Sequence, residues 1–303
     1  MKTKIFLFCC LFAIGLGCGV GYRYLDDNKT VAIRIGQSQN LLDYDLMSSI
    51  NFISYHLEKQ GYKVSGVSYA GNLYPASLDK AKHNIFVRVF EPFFDVRFKK
   101  DTQNTFYVER FVKQYAEEFV GYNNYITSQK SIQQQMSHLA KMHYLPSGAI
   151  PHLLLKPDYH NDVLCIYEWL NLEYAEFLKQ HIPNFKIYSG AKFARLSDKE
   201  REQELATAKL VVYLMEDGIK DDRDFVPFAV YDIISYGRPL LTNFKPSLAH
   251  EFNNNIFLFN NLNELILTTV KAVKTPSHIR EEHAQIARKI LRAKKQDIPH
   301  FFN

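Results

Sequence analysis

Cysteine is almost missing from the body of this chain. Three of its four cysteines, Cys9, Cys10 and Cys18, crowd the first 18 residues, and Cys165 alone lies beyond them. No disulfide framework and no cysteine-ligated metal is expected from such a distribution. Cys165 sits inside an apolar run and reads as a small core residue. The histidines suggest no metal either: His138, His143, His152 and His160 follow neither H-x3-H nor HExxH spacing. Also missing are a Walker A loop, a G-x-G-x-x-G fingerprint and a G-x-S-x-G elbow. Dinucleotide chemistry and Ser/His/Asp hydrolysis therefore have no support. Charge of one sign is scarce too. A net charge of +5 and a pI near 8.8 are too weak to argue for nucleic acid. The expectation is no cofactor, no metal and no nucleic-acid partner.

What the chain does have begins at its N-terminus. Lys2 and Lys4 precede an apolar run over residues 5–22, and Asp26, Asp27 and Asn28 follow it. The run is at the lower limit for a membrane span and long for a secretory signal. Residues 1–28 read as an uncleaved signal anchor, single-pass, with the lysines inside and the body on the non-cytoplasmic side. A cleaved signal, giving a secreted protein, or a lipid-modified Cys18 are the alternatives.

The body alternates strand and helix patterns. Val31–Ile35 reads as a strand ending at Gly36, and Leu46, Met47, Ile50, Ile53 and Leu57 recur at helical spacing up to Gly61. Strands are predicted at 63–69, 84–90, 105–111 and 125–128, with a helix over 129–141. A Pro-rich stretch near 152–160 marks a boundary. Beyond it come strands at 162–167, 185–188, 210–214, 240–242 and 255–259, with helices at 174–181, 199–208, 262–273 and 280–295. This β-α-β logic predicts parallel sheets and right-handed crossovers. The expected division is 29–152 for an N-terminal Rossmann-like domain, 153–275 for a C-terminal one and 276–303 for a helical tail.

The segment from Asp221 to Asn243 is the most informative. Pro227 suits a first helical turn, and Val230, Ile233 and Ile234 form an apolar stripe. Gly237 is placed to end the helix, and Pro239 prevents its return. Two acids, Asp224 and Asp232, flank the helix start. A helix N-terminus beside carboxylates can hold a phosphate and the hydroxyls of a sugar.

This order resembles the E-x7-E signature of the GT-B glycosyltransferases, with aspartates in place of both glutamates. The nearest resemblance is to the spore-maturation-protein-like branch of the group 1 family. It covers about residues 145–275 by motif and 31–145 by pattern. It implies an α/β protein with two Rossmann-like domains facing a cleft, after the N-terminal membrane segment. It also implies sugar transfer from a nucleotide- or lipid-linked donor to a glycan or lipid acceptor. By the same resemblance Asp224 is the catalytic candidate beside the sugar. Asp232 would bind donor hydroxyls, and Gly36 would allow close approach of a phosphate or acceptor. Gly190 and Gly237 complete the donor-side set. The family's basic pair after the first strand of the second domain is replaced by Glu168-Trp169-Leu170-Asn171. Lys192 and Arg195 would supply that charge instead, or stand as solvated loop residues. The aspartates and the missing pair also fit a non-catalytic glycan- or nucleotide-binding protein on this scaffold. A fucosyltransferase-like enzyme is a further alternative.

Overall fold

The computed structural model describes residues 29–35, 43–69, 81–87, 103–107, 124–136, 141–168, 171–215, 226–294 and 302. The chain divides into two compact units, one from residues 1–37, 57–125 and 300–303, the other from 38–56 and 126–299. Asp224, Gly36, Trp169 and the apolar run 5–22 lie outside the described residues. Among the described residues no helix is long and apolar enough to cross a membrane.

The first sheet has six strands in the order β2-β1-β3-β4-β5-β6. These are β1 (Thr30–Ile35), β2 (Lys63–Tyr69), β3 (His83–Val87), β4 (Gln103–Tyr107), β5 (Asn124–Thr127) and β6 (Met142–Tyr144). The first four pair in parallel. Helix α1 (Tyr44–Lys59) joins β1 to β2, and α2 (Lys130–Met136) follows β5. Asp43 caps α1, its carboxylate accepting the Leu46 N–H at 2.7 Å. Within the first unit Phe302 stacks on His83 at 4.1 Å, and the Tyr62 hydroxyl donates to the Phe302 carbonyl at 3.1 Å.

The second sheet has five strands, all parallel, in the order β11-β10-β9-β7-β8. They are β7 (Asn161–Tyr167), β8 (Phe185–Ser189), β9 (Ala208–Leu214), β10 (Leu240–Asn243) and β11 (Phe257–Phe259). In sequence order this is 2-1-3-4-5, a doubly wound arrangement. Its topological switch point lies between β7 and β9. Both faces are covered, which is why the strands read as unbroken apolar runs. Leu164, Ile166, Val211 and Tyr213 face one core, while Val163, Cys165, Leu210 and Val212 face the other. Their alternation is the period-2 geometry of a strand.

The helices of this part are α3 (Leu172–His181), α4 (Gly190–Ala194), α5 (Asp198–Thr207), α6 (Phe228–Ser235), α7 (Pro246–Phe252), α8 (Leu262–Lys274) and α9 (Ser277–Ala293). Helix α6 follows β9 and is buried along its whole length. It differs from expectation at its start: Pro227 is the residue before the helix, extended at ψ 142°, rather than its first turn. Gly237 ends it at φ +74°, its N–H donating to the Ile234 carbonyl at 2.9 Å. Three elements had no forecast: β6, α4 and α7.

Candidate functional site

Asp232 lies in the middle of α6, and two other elements reach it. The Tyr44 hydroxyl, from the first turn of α1, donates to its Oδ2 at 2.7 Å. The His152 ring, from the extended segment before β7, places Nε2 2.7 Å from its Oδ1. Both carboxylate oxygens are thus engaged by side chains 188 and 80 residues away in sequence. The pair is not sealed: the His152 and Asp232 side chains keep 15% and 12% of their exposure.

His152 is itself fixed. Its ring stacks on Tyr236 with centroids 3.7 Å apart and planes 13° from parallel. Its carbonyl accepts from Arg288 at 2.6 Å and from Arg292 at 2.8 Å, both on α9. Arg288 also donates to the Ser235 carbonyl at 2.7 Å, tying α9 to the end of α6. Tyr44 is fully buried and packs edge-on against Phe193 at 4.8 Å and Tyr213 at 6.3 Å. Burial first, then the negative charge of Asp232, pushes its hydroxyl well above the ordinary phenol value.

The amino end of α6 is also met from within. The Asp45 carboxylate accepts the Ala229 N–H at 3.1 Å. A helix start carries partial positive charge and unpaired N–H groups, and this acid takes one of them. Beside it Phe52 of α1 meets Phe228 at 5.3 Å.

A second acid stands at the switch point. Glu168 follows β7, and its carboxylate accepts the Tyr213 hydroxyl at 3.1 Å. Burial, followed by Glu168, Asp45 and Asp43, raises the Tyr213 phenol well above its ordinary value. Asn171 donates to the Met215 carbonyl, joining the ends of β7 and β9.

The remaining sequence-derived residues are placed as follows. Gly190 starts α4, and a Cβ there would stand 2.0 Å from Glu168 Oε2, so the glycine makes room for that carboxylate. Lys192 and Arg195 are exposed, the first in α4 and the second just after it. The Ser189 hydroxyl caps α4 by accepting the Lys192 N–H at 3.3 Å. Gly237 serves the helix end, and a Cβ on it would lie 2.5 Å from Leu154 Cδ1. The structure therefore gathers Asp232 with Tyr44, Asp45 and His152, and Gly190 with Glu168. Tyr44, Asp45 and His152 were not foreseen as site residues, because no local pattern links them to Asp232. Among the described residues no group of three or more His, Cys, Asp or Glu could hold a metal ion.

No protein-family model matches the chain, and no curated protein matches it in sequence. Solved structures do match. Sucrose-phosphate synthase from Thermosynechococcus elongatus aligns with TM-score 0.55 at 9% identity, covering 88% of this chain and 94% of that one. A glycosyltransferase from Rickettsia africae ESF-5 aligns with TM-score 0.51 at 7% identity, covering 88% and 94%. The fold is that of the GT-B glycosyltransferases. TarM aligns with TM-score 0.47 at 16% identity over 71% of this chain, which spans about half of TarM's length, 52%.

Proposed function

We propose that this GT-B chain moves a sugar from an activated donor, nucleotide- or lipid-linked, to a glycan or lipid acceptor. The fold likeness to a sucrose-phosphate synthase and to a second glycosyltransferase supports the reaction class. The observation that carries the assignment to a place is the position of Asp232. It lies on the helix that leaves the carboxyl end of β9, next to the switch point where doubly wound sheets take ligands. In this reading Asp232 receives donor hydroxyls, and Asp224, separated from it by seven residues in the D-x7-D pattern, stands beside the sugar. Residues 5–22 anchor the chain in a membrane, with the body on its non-cytoplasmic side. That side favours a lipid-linked donor, or a secretory lumen stocked with nucleotide sugars.

The test is turnover by the full chain in detergent. Nucleotide sugars and polyprenyl-phosphate sugars are supplied with glycan and lipid acceptors, and transfer is followed by mass change of the acceptor. Transfer by the native chain that falls at least tenfold in Asp232→Asn supports the reading. Transfer untouched by that change moves the site away from α6. A second reading, a non-catalytic binder on the same scaffold, is favoured by one specific feature: the polar groups of α6 already have partners from α1. Ligand binding without transfer to any acceptor in the panel would select it.

A further inference from the structure

Leu153 and Leu154 are neighbours on the segment that enters β7, and they keep 85% and 46% of their exposure. Single exposed leucines are ordinary on a protein surface, but these two are held out together. On one side His152 is stacked on Tyr236, and its carbonyl is taken by Arg288 and Arg292. On the other the Leu155 N–H donates to the Tyr236 carbonyl at 3.3 Å. The backbone is clamped before and after the pair, so neither leucine can turn inward without breaking those bonds.

The clamp also brings positive charge. Arg288, Lys289 and Arg292 lie on α9, and the last two are exposed. Arg288 shares the space over Gly237 with Leu154: its Cδ and the leucine Cδ1 lie 3.2 Å and 2.5 Å from where a Cβ on that glycine would stand. Among the described residues neither arginine has a carboxylate partner, and both donate to carbonyls instead. Burial, then the neighbouring charge of Arg292, pulls the Arg288 pKa below its ordinary value. From His283 to Gln296 the chain carries five Lys or Arg and no acid. Of the acids felt at Tyr236, Asp232 is held by His152 and Asp198 by Arg201, which leaves Glu202 against three cations.

We propose that this face docks on the anionic headgroup layer of a membrane. Leu153 and Leu154 enter the acyl boundary, while Arg288, Lys289 and Arg292 meet the lipid phosphates. A soluble polyanion would satisfy the cations and leave the leucines in water. A protein partner would find too little apolar core for a stable interface. A lipid surface takes both at once, because its phosphates lie directly above its hydrocarbon. All five residues belong to one compact unit. The inference does not depend on sugar transfer, nor on whether residues 5–22 span the membrane. If they do, they raise the effective concentration of lipid at this face.

The experiment places the full chain in lipid nanodiscs, of phosphatidylglycerol or of phosphatidylcholine, with bromine on the acyl chains. Leu153→Trp supplies the probe, and the parent chain, with Trp169, supplies the background. The new tryptophan should be quenched in phosphatidylglycerol and far less in phosphatidylcholine. Each cation near an anionic surface is worth about fivefold in the docked-to-free ratio. Lys289→Gln, which leaves the clamp untouched, should therefore lower that ratio about fivefold, and Lys289→Gln with Arg292→Gln about 25-fold. Hydrogen exchange on the unsubstituted chain checks that the probe has not created the contact: the amides of Leu153 and Leu154 should slow in phosphatidylglycerol discs relative to detergent. No quenching in phosphatidylglycerol by a chain that melts cooperatively overturns the proposal. Equal quenching in the two lipids overturns the role of the cations. A probe shielded in detergent alone, in a chain that sediments as a dimer, makes the face an interface between two copies instead. Extraction with alkaline carbonate judges residues 5–22 separately, and the acceptor mass assay judges sugar transfer.

Discussion

Asp232 and Arg238 stand six residues apart, both charged and both inside the protein, yet they are held in different ways. Arg238 has no exposed side-chain surface. Its guanidinium meets Glu281 at 3.3 Å and donates to the carbonyl of Ala208, the first residue of β9, at 2.8 Å. The Tyr159 ring lies 5.6 Å away, and its hydroxyl bonds Glu281 as well. Every one of those partners comes from the packed frame: a strand start, α9 and the segment entering β7. Asp232 is instead held by a tyrosine and a histidine, retains some exposure, and sits toward the carboxyl end of the sheet. The charge at the amino end of this sheet is sealed by the frame, while the one toward the carboxyl end keeps a partly open edge. A buried charge that is closed on all sides serves the fold, and one that keeps an open edge is available for chemistry.

The sharpest way to break that contrast is to remove each charge. Arg238→Met should lower unfolding free energy by about 3 kcal/mol, because it leaves Glu281 without its cation and the Ala208 carbonyl without its donor. Asp232→Asn should cost about 1 kcal/mol, since the amide still accepts one bond. Urea unfolding of both variants makes the comparison. Equal losses would make Asp232 a structural pin like Arg238.

Next in size is Gly190→Ala. The new methyl would meet the Glu168 carboxylate well inside contact distance, for a loss of about 2 kcal/mol. Truncating Glu168 to Ala as well should recover part of it, and a double-mutant cycle in urea reads the coupling. No coupling would mean that Gly190 is required for something other than Glu168. Gly237→Ala is expected to cost about 1 kcal/mol from its left-handed backbone alone. Adding Leu154→Ala should leave that loss nearly unchanged, because the leucine tip moves easily and the φ angle does not.

The order of elements was largely legible in the sequence, and for a plain reason. The β-α-β alternation, Gly61 after α1 and Gly237 after α6 are local signals, and local signals fix where strands and helices lie. The buried central strands of the second sheet announced themselves as apolar runs such as Asp162–Tyr167. Helix α4 was missed because it is only five residues long and its cap, Ser189, looked like the end of a strand. Of the side chains gathered around α6, only Asp232 had been singled out in the sequence. Its partners Tyr44 and His152 come from elements distant in the chain, and a spacing rule on one helix cannot reveal them. Gly190 was read as part of the donor-side set. In the structure it stands against Glu168, a packing relation that depends on the pairing of β7 with β8 and cannot be seen along the chain.

The smallest effect separates the two ends of the sheet by pH. Tyr44 has its phenol raised by burial and by Asp232. Tyr159, beside Arg238, is raised by burial and by Glu281 but pulled back by the arginine, and it is partly open to solvent. A phenol raised in the folded state contributes stability that is complete below its unfolded value near pH 10 and is lost as pH climbs toward the folded value. The unfolded chain then releases protons that the folded chain retains. For Tyr44 this amounts to about 0.8 kcal/mol by pH 10.5. Tyr44→Phe removes a group that titrates only on unfolding, so its stability should fall less steeply between pH 9 and 10.5 than that of the native chain. Tyr159→Phe should change that slope less, because solvent screens it and Arg238 offsets Glu281. Urea midpoints across this range decide it. An equal effect of the two substitutions would place both phenols in the same environment and remove the electrostatic distinction between the two ends.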